Sequence, residues 1–297
     1  MSVPYFGRLL TAMVTPMFPD GRVDYDGAEK LANYLVEHGS DGIVAAGSTG
    51  ESATLSCEEK LELFRVVAGA VGKRARVIAG TGSNDTAASV EMTKAAAKTG
   101  VHGAMLVGPY YNKPPQEGFY QHFASIAAQT DLPLIVYNVP GRTASNILPA
   151  TVARLAKIPN IVALKEAAGQ MEQVSELLRV LPEDFTVYSG DDSLTLPMMA
   201  VGAHGVISVA GHIIGQEMQQ MMTAFQAGDV KKAAQLHRRL TPFFKVIFVT
   251  TNPIPIKAAV GLKGLPAGPT RLPLIAPTPD ELEKIRAVMN QVTAINQ

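Results

Sequence analysis

The chain has 297 residues, and its 26 Lys and Arg balance its 26 Asp and Glu, so no positive surplus is available for general nucleic-acid binding. With 47% apolar and 18% charged residues, it has the composition of a protein with a large core and not of a disordered one. Its single cysteine, Cys57, excludes an intramolecular disulfide framework and a multi-cysteine metal cage, and fits a reducing compartment.

The first apolar run, from Leu9, stops at Pro16 and has no small-residue cleavage site, so no signal peptide is expected. Short apolar runs then alternate with amphipathic stretches. Strands are expected at 9–15, 42–46, 76–80, 104–108, 134–139, 161–165, 186–189 and 206–209. Helices are expected at 25–37, 57–71, 86–98, 117–129, 150–157, 171–180, 193–201 and 216–227. Residues 193–216 carry no formal charge, but their glycines, Pro197, His204 and His212 make them a buried helix and strand and not a membrane span. Eight such units in sequence imply a (β/α)8 barrel, and an open doubly wound sheet is the alternative.

An internal repeat supports the barrel. Gly39-Ser-Asp-Gly42, Gly100-Val-His-Gly103 and Gly202-Ala-His-Gly205 each end a helix with one glycine and open a strand with the next. After residue 229 the pattern changes to helices at 231–249, 256–263 and 280–294, punctuated by prolines. The expected division is a catalytic barrel over 1–229 and a helical appendage over 230–297. The basic cluster Lys231, Lys232, Arg238 and Arg239 reads as a solvated helix face.

In a barrel, chemistry sits where strands end. Lys165 closes an otherwise apolar strand, and period-two alternation puts it on one face with Ile161 and Ala163. If that face is the interior, its amine is a candidate Schiff-base nucleophile; otherwise it is a lysine reaching for water. An ordinary lysine, with a pKa of about 10.4, needs roughly 4.6 kcal/mol to free its lone pair at pH 7, a cost that burial reduces. Tyr137, on the neighbouring strand, has a phenol that both donates and accepts, and so does the hydroxyl of Ser48. Arg142 offers a planar fork for a carboxylate.

A serine-hydrolase reading of Ala46-Gly-Ser-Thr-Gly50 lacks the first glycine and the immediate helix of a nucleophile elbow. A non-catalytic binding barrel would not need Lys165 or Tyr137. No P-loop, dinucleotide fingerprint or paired-histidine metal spacing is present.

Two stretches carry a resemblance. Gly42-Ile-Val-Ala-Ala-Gly-Ser-Thr-Gly-Glu51 is one, and Tyr137-Asn-Val-Pro-Gly-Arg-Thr143 with Ile161-Val-Ala-Leu-Lys-Glu-Ala167 is the other. With Gly108-Pro-Tyr-Tyr-Asn-Lys-Pro114 and Gly205-Val-Ile-Ser208, the chain resembles the dihydrodipicolinate synthase family of the N-acetylneuraminate lyase superfamily over nearly its whole length.

The resemblance implies a barrel with a C-terminal helical unit, a tetramer built from tight dimers, a cytoplasmic location, and neither metal nor organic cofactor. It implies condensation of pyruvate with L-aspartate 4-semialdehyde, the first committed step toward diaminopimelate and lysine. Lys165 matches the nucleophile, Tyr137 the proton-transfer tyrosine, and Ser48 the hydroxyl between tyrosines. Tyr111 matches a tyrosine that reaches the partner subunit's site. Arg142 matches the residue that orients the aldehyde's carboxylate, and Thr49, Gly190 and Ile207 match pyruvate-site positions. Ser48 departs from the threonine of most synthases toward the sialic-acid lyases, whereas Arg142 is a synthase feature. The positions matching the lysine site of feedback-sensitive relatives are Ser52, Ala53, Cys57, Lys60, Asn84, Ala88 and Tyr110. Ala88 stands where those relatives have Glu, and Lys60 where they have His, so weak feedback inhibition is expected.

Overall fold

The computed structural model describes residues 6–293. Eight parallel strands close into a barrel in sequence order, so the open-sheet alternative is set aside. The strands are β1 (Leu9–Ala12), β2 (Gly42–Ala45), β3 (Arg76–Gly80), β4 (Gly103–Val107), β5 (Leu134–Asn138), β6 (Ile161–Glu166), β7 (Thr186–Ser189) and β8 (Gly205–Ser208). Between β1 and β5 run α1 (Tyr25–Glu37), α2 (Cys57–Val71), α3 (Thr86–Ala96) and α4 (Gln116–Ala127). From β5 to β8 come α5 (Pro140–Thr143), α6 (Pro149–Leu155), α7 (Met171–Val180) and α8 (Thr195–Ala200). Past β8 come α9 (Gly211–Gln226), α10 (Val230–Val246), α11 (Ile254–Leu262) and α12 (Pro279–Thr293).

The helices start where their sequences supply caps. Asp24 accepts from the Gly27 N–H, Asp85 from Ala88 and Asp229 from Lys232, and Ser56 with Glu59 forms a reciprocal capping box on α2. The repeated glycine joints are built alike. Gly39, Gly100 and Gly202 have φ of +107°, +86° and +115°, which a side chain would strain. The polar residue before each second glycine then caps the preceding strand. Asp41 accepts from the Arg8 and Leu9 N–H groups, His102 Nδ1 from Val77, and His204 Nδ1 from Val187. These side chains satisfy N–H groups at the rim opposite the strand ends that carry chemistry.

The barrel interior is filled by Leu10, Val44, Ile78, Met105, Ile135 and Ile207 among others. Apolar layers outside it join strands to helices, and Leu236, Phe243, Ile256 and Ile285 of the C-terminal helices belong to the same core as Leu9 and Ile43.

Several boundaries differ from the sequence reading. β1 ends at Ala12 and not at residue 15, because the Val14 N–H turns to the Nε2 of buried His212. The expected helix 193–201 opens with a tight turn, Asp192–Leu194, before α8. The helix expected from 216 begins at Gly211, because Asp192 and Ser208 accept the N–H groups of Val209, Ala210 and Gly211 directly after the strand. Ala294, the last residue of the helix expected at 280–294, lies outside the described residues. Ile161 is not on the face of Lys165: a register shift pairs Leu134 with Ile161 but Ile135 with Ala163, and Ile161 packs in the outer layer.

Candidate active site

The C-terminal ends of the strands hold the candidate residues. β5 and β6 pair Tyr137 directly with Lys165, and β6 and β7 pair Lys165 with Tyr188. Lys165 is 5% exposed, and its Nζ lies 4.2 Å from the centroid of the Tyr137 ring. Burial lowers its pKa to about 8, helped by the Arg142 cation and opposed by the Asp192 carboxylate. Gly190 makes room for this side chain: a Cβ there would sit 2.7 Å from Ala167 Cβ and 3.1 Å from Lys165 Cε.

Burial pushes the Tyr137 phenol up to about 12, so it stays protonated at neutral pH, and it shares a hydrogen bond with Ser48. Ser48 and Thr49 follow β2 in a loop with left-handed residues at both ends, Ala46 (φ 49°) and Glu51 (φ 57°). A cavity of about 450 Å³ opens on this rim, lined by Ser48, Tyr137, Arg142, Tyr110, Lys60 and Asn252 among others. Lys165 lies against the Tyr137 ring, with Ile207 fully buried in the barrel interior and Thr49 buried beside the cavity. Tyr111 is apart from this group within one chain: it is 89% exposed with φ 72° and does not line the cavity.

Three buried groups at this end have no role in the sequence reading, although Glu166 and Asp192 stand at strand ends. Asp192 accepts from Ser208 Oγ at 2.5 Å and from the Ala210 and Val209 N–H groups at 2.9 and 3.1 Å; burial raises its pKa to about 6. Glu166 accepts from Ala168 N–H at 2.6 Å, Asn138 Nδ2 at 3.0 Å and Gln173 Nε2 at 3.2 Å, and burial raises its pKa. Asn252, beyond the last strand, donates from Nδ2 to Thr49 Oγ1 at 2.9 Å, and its carbonyl accepts from Arg142 Nη2 at 3.0 Å. The acidic pair at the end of β7 was a signal for Asp192; nothing local marks Asn252. Among the described residues, no group of three His, Cys, Asp or Glu side chains could hold a metal ion. No described helix is long and apolar enough to cross a membrane.

A buried amine of lowered pKa at a barrel strand end, beside a protonated phenol and an arginine fork, is the arrangement of an aldolase-type barrel enzyme. Residues 5–292 match the model of the dihydrodipicolinate synthetase family, and the chain belongs to that family. It is 60% identical over 286 residues to the 4-hydroxy-tetrahydrodipicolinate synthase of Moorella thermoacetica, spanning 96% of this chain and 98% of that one. It is 58% identical over 293 residues to the synthase of Desulforamulus reducens, spanning 98% and 99%. The crystal structure of a dihydrodipicolinate synthase from Bacillus anthracis superposes with a TM-score of 0.95 at 51% identity, covering 97% of this chain and 99% of that one. The synthase of Cyanidioschyzon merolae with lysine bound superposes at 0.96 with 50% identity, covering 98% and 99%.

Proposed function

We propose that this chain is a Schiff-base-forming lyase that condenses pyruvate with L-aspartate 4-semialdehyde to 4-hydroxy-tetrahydrodipicolinate. The observation that carries this reading is the Lys165 amine, 5% exposed against the Tyr137 ring and held near pKa 8. The names of the relatives favour the synthase over an N-acetylneuraminate lyase.

The neutral amine of Lys165 attacks C2 of pyruvate, and the keto oxygen takes up a proton through Tyr137 and Ser48. Loss of water from the carbinolamine gives the imine. Loss of a C3 proton gives the enamine, whose C3 attacks the aldehyde carbon. The amino group of the second substrate then attacks C2, closing the ring and releasing Lys165. Thr49, Gly190 and Ile207 surround the pyruvate portion, and Arg142 receives the carboxylate of the aldehyde substrate.

The same reading makes residues 1–229 the catalytic barrel and 230–297 a helical appendage. Tyr111, exposed in the single chain, completes the site of a partner copy within a tetramer of tight dimers. Its single cysteine suits a cytoplasmic enzyme.

The test is incubation with pyruvate and borohydride followed by intact mass and peptide mapping. A stable pyruvyl adduct on Lys165 is expected; folded protein without one would overturn the mechanism. Supplying aspartate semialdehyde or an N-acylmannosamine as second substrate separates synthase from sialate lyase, and turnover is expected with the former alone.

A further inference from the structure

Asn252 lies between α10 and α11, far along the chain from the strand ends, yet it lines the cavity beside Thr251 and Pro253. It is 5% exposed, and its Oδ1 is buried without a hydrogen-bond partner. One residue thus touches two neighbours at the rim: its Nδ2 donates to Thr49 Oγ1, and its main-chain carbonyl accepts from Arg142 Nη2.

The direction of the first bond matters. A hydroxyl has one proton and two acceptor lone pairs. By accepting from Asn252, Thr49 keeps its own proton for another acceptor, such as a substrate carboxylate. We propose that Asn252 is a positioning residue: its side chain orients the Thr49 hydroxyl toward the keto-acid carboxylate, while its main-chain carbonyl, which every substitution retains, seats the Arg142 guanidinium. The proposal rests on the substrate-binding roles given to Thr49 and Arg142 above.

The surroundings hold both sides of the bridge in place. Glu51, two residues after Thr49, pairs with Lys257 Nζ at 2.6 Å, with side chains 1% and 2% exposed. Lys257 also donates to the Pro269 carbonyl at 2.6 Å, and the Arg271 N–H donates to Glu51 Oε2 at 2.9 Å. The Arg271 guanidinium then reaches the Glu59 carboxylate and the Thr54 carbonyl. The loop that carries Ser48 and Thr49 and the segment that carries Asn252 are therefore tied together by buried charge-assisted bonds.

The experiment uses the full-length enzyme with Asn252→Ala, Asn252→Asp, Thr49→Val and the double variant Thr49→Val/Asn252→Ala. Steady-state rates are read against pyruvate at saturating aldehyde, and pyruvate–borohydride trapping is run on each protein. Asn252→Ala is expected to raise the pyruvate KM about five- to tenfold, the reach of one hydrogen bond, with kcat within about threefold. Asn252→Asp keeps the shape but has only acceptors, so it draws the Thr49 proton away and is expected to raise KM at least as far. In the Thr49→Val background, removing the Asn252 side chain should add less than about twofold.

A pyruvate KM at the wild-type value in either Asn252 variant, or full additivity with Thr49→Val, overturns the proposal. The near-isosteric aspartate variant carries the test if the alanine variant fails to fold. Trapping on the wild-type enzyme tests the Lys165 chemistry separately. Adduct formation together with an unmoved KM sinks the role of Asn252 alone.

Discussion

Lys165 and Tyr137 are cross-strand partners, with the lysine Nζ 4.2 Å from the centroid of the tyrosine ring. The two effects of this packing oppose each other. The ring face attracts a cation, whereas burial, with the Arg142 charge, disfavours one and lowers the pKa to about 8 against the pull of the Asp192 carboxylate. Freeing the lone pair at pH 7 then costs roughly 1.4 kcal/mol, against roughly 4.6 kcal/mol for an exposed lysine. The activity is expected to rise with pH through this range as the amine loses its proton.

The same shift predicts a stability effect. The folded-state pKa of Lys165 lies below the ordinary lysine value of 10.5, so the unfolded chain binds more protons between about pH 8 and 10.5. Wild-type stability therefore rises with pH across that window. Lys165→Met removes the buried amine and should abolish the pyruvate adduct. It should also stabilise the fold at pH 7 by about 2–3 kcal/mol, with the advantage fading toward pH 10.5. Chemical denaturation at pH 7 and pH 10 reads both; a methionine variant no more stable than wild type at pH 7 would contradict the electrostatic account.

Tyr137→Phe keeps the ring that packs on Lys165 and removes the hydroxyl that bonds Ser48. Turnover should fall by about 10²–10⁴ while the melting temperature changes little. Single-turnover imine formation should slow in parallel, and an unchanged rate would place the proton transfer on another group.

Glu51 and Lys257 test whether the C-terminal helices are needed at the rim. Their ion pair is buried on both sides, so removing one partner strands the other. Lys257→Met should destabilise the protein by about 3–5 kcal/mol, and the double variant Glu51→Gln/Lys257→Met should recover part of the loss. Denaturant titration of the wild type and the two variants measures it. Equal stability of the single and double variants would show that the Arg271 N–H and nearby groups satisfy Glu51 unaided.

What was legible in the sequence was local. Alternation and turn chemistry marked eight strand–helix units, and the strand-end rule singled out Lys165 and Tyr137 because each stands on its own strand. Three joints could be read from Gly39, Gly100 and Gly202 because a positive φ selects glycine. The face of Ile161 was misread because a register shift, which strict alternation does not encode, intervenes before Ala163. Asn252 and Lys257 contact Thr49 and Glu51 across more than 200 positions, and no periodicity links them. The acids at the end of β7 are visible in the sequence, but only the fold places the Asp192 carboxylate under the start of α9.

Lys60 is half-buried by its neighbours, which lowers its pKa, and it lines the same cavity as Ser52, Ala53 and Tyr110. Ala88 is exposed on α3, its N–H taken by the Asp85 side chain, and contributes no carboxylate. The relative from Cyanidioschyzon merolae binds lysine. Here a lysine ammonium would lose a glutamate partner at position 88 and meet the cation of Lys60. One lost charge-assisted hydrogen bond costs roughly 1.5–3 kcal/mol, or about ten- to a hundredfold in affinity, and the like charge adds to it. Little inhibition is expected at millimolar lysine, and the double variant Lys60→His/Ala88→Glu should gain sensitivity. An inhibition titration decides it: half-inhibition of the wild type below about 1 mM, roughly −4 kcal/mol of binding, would show that these two positions do not control the effector.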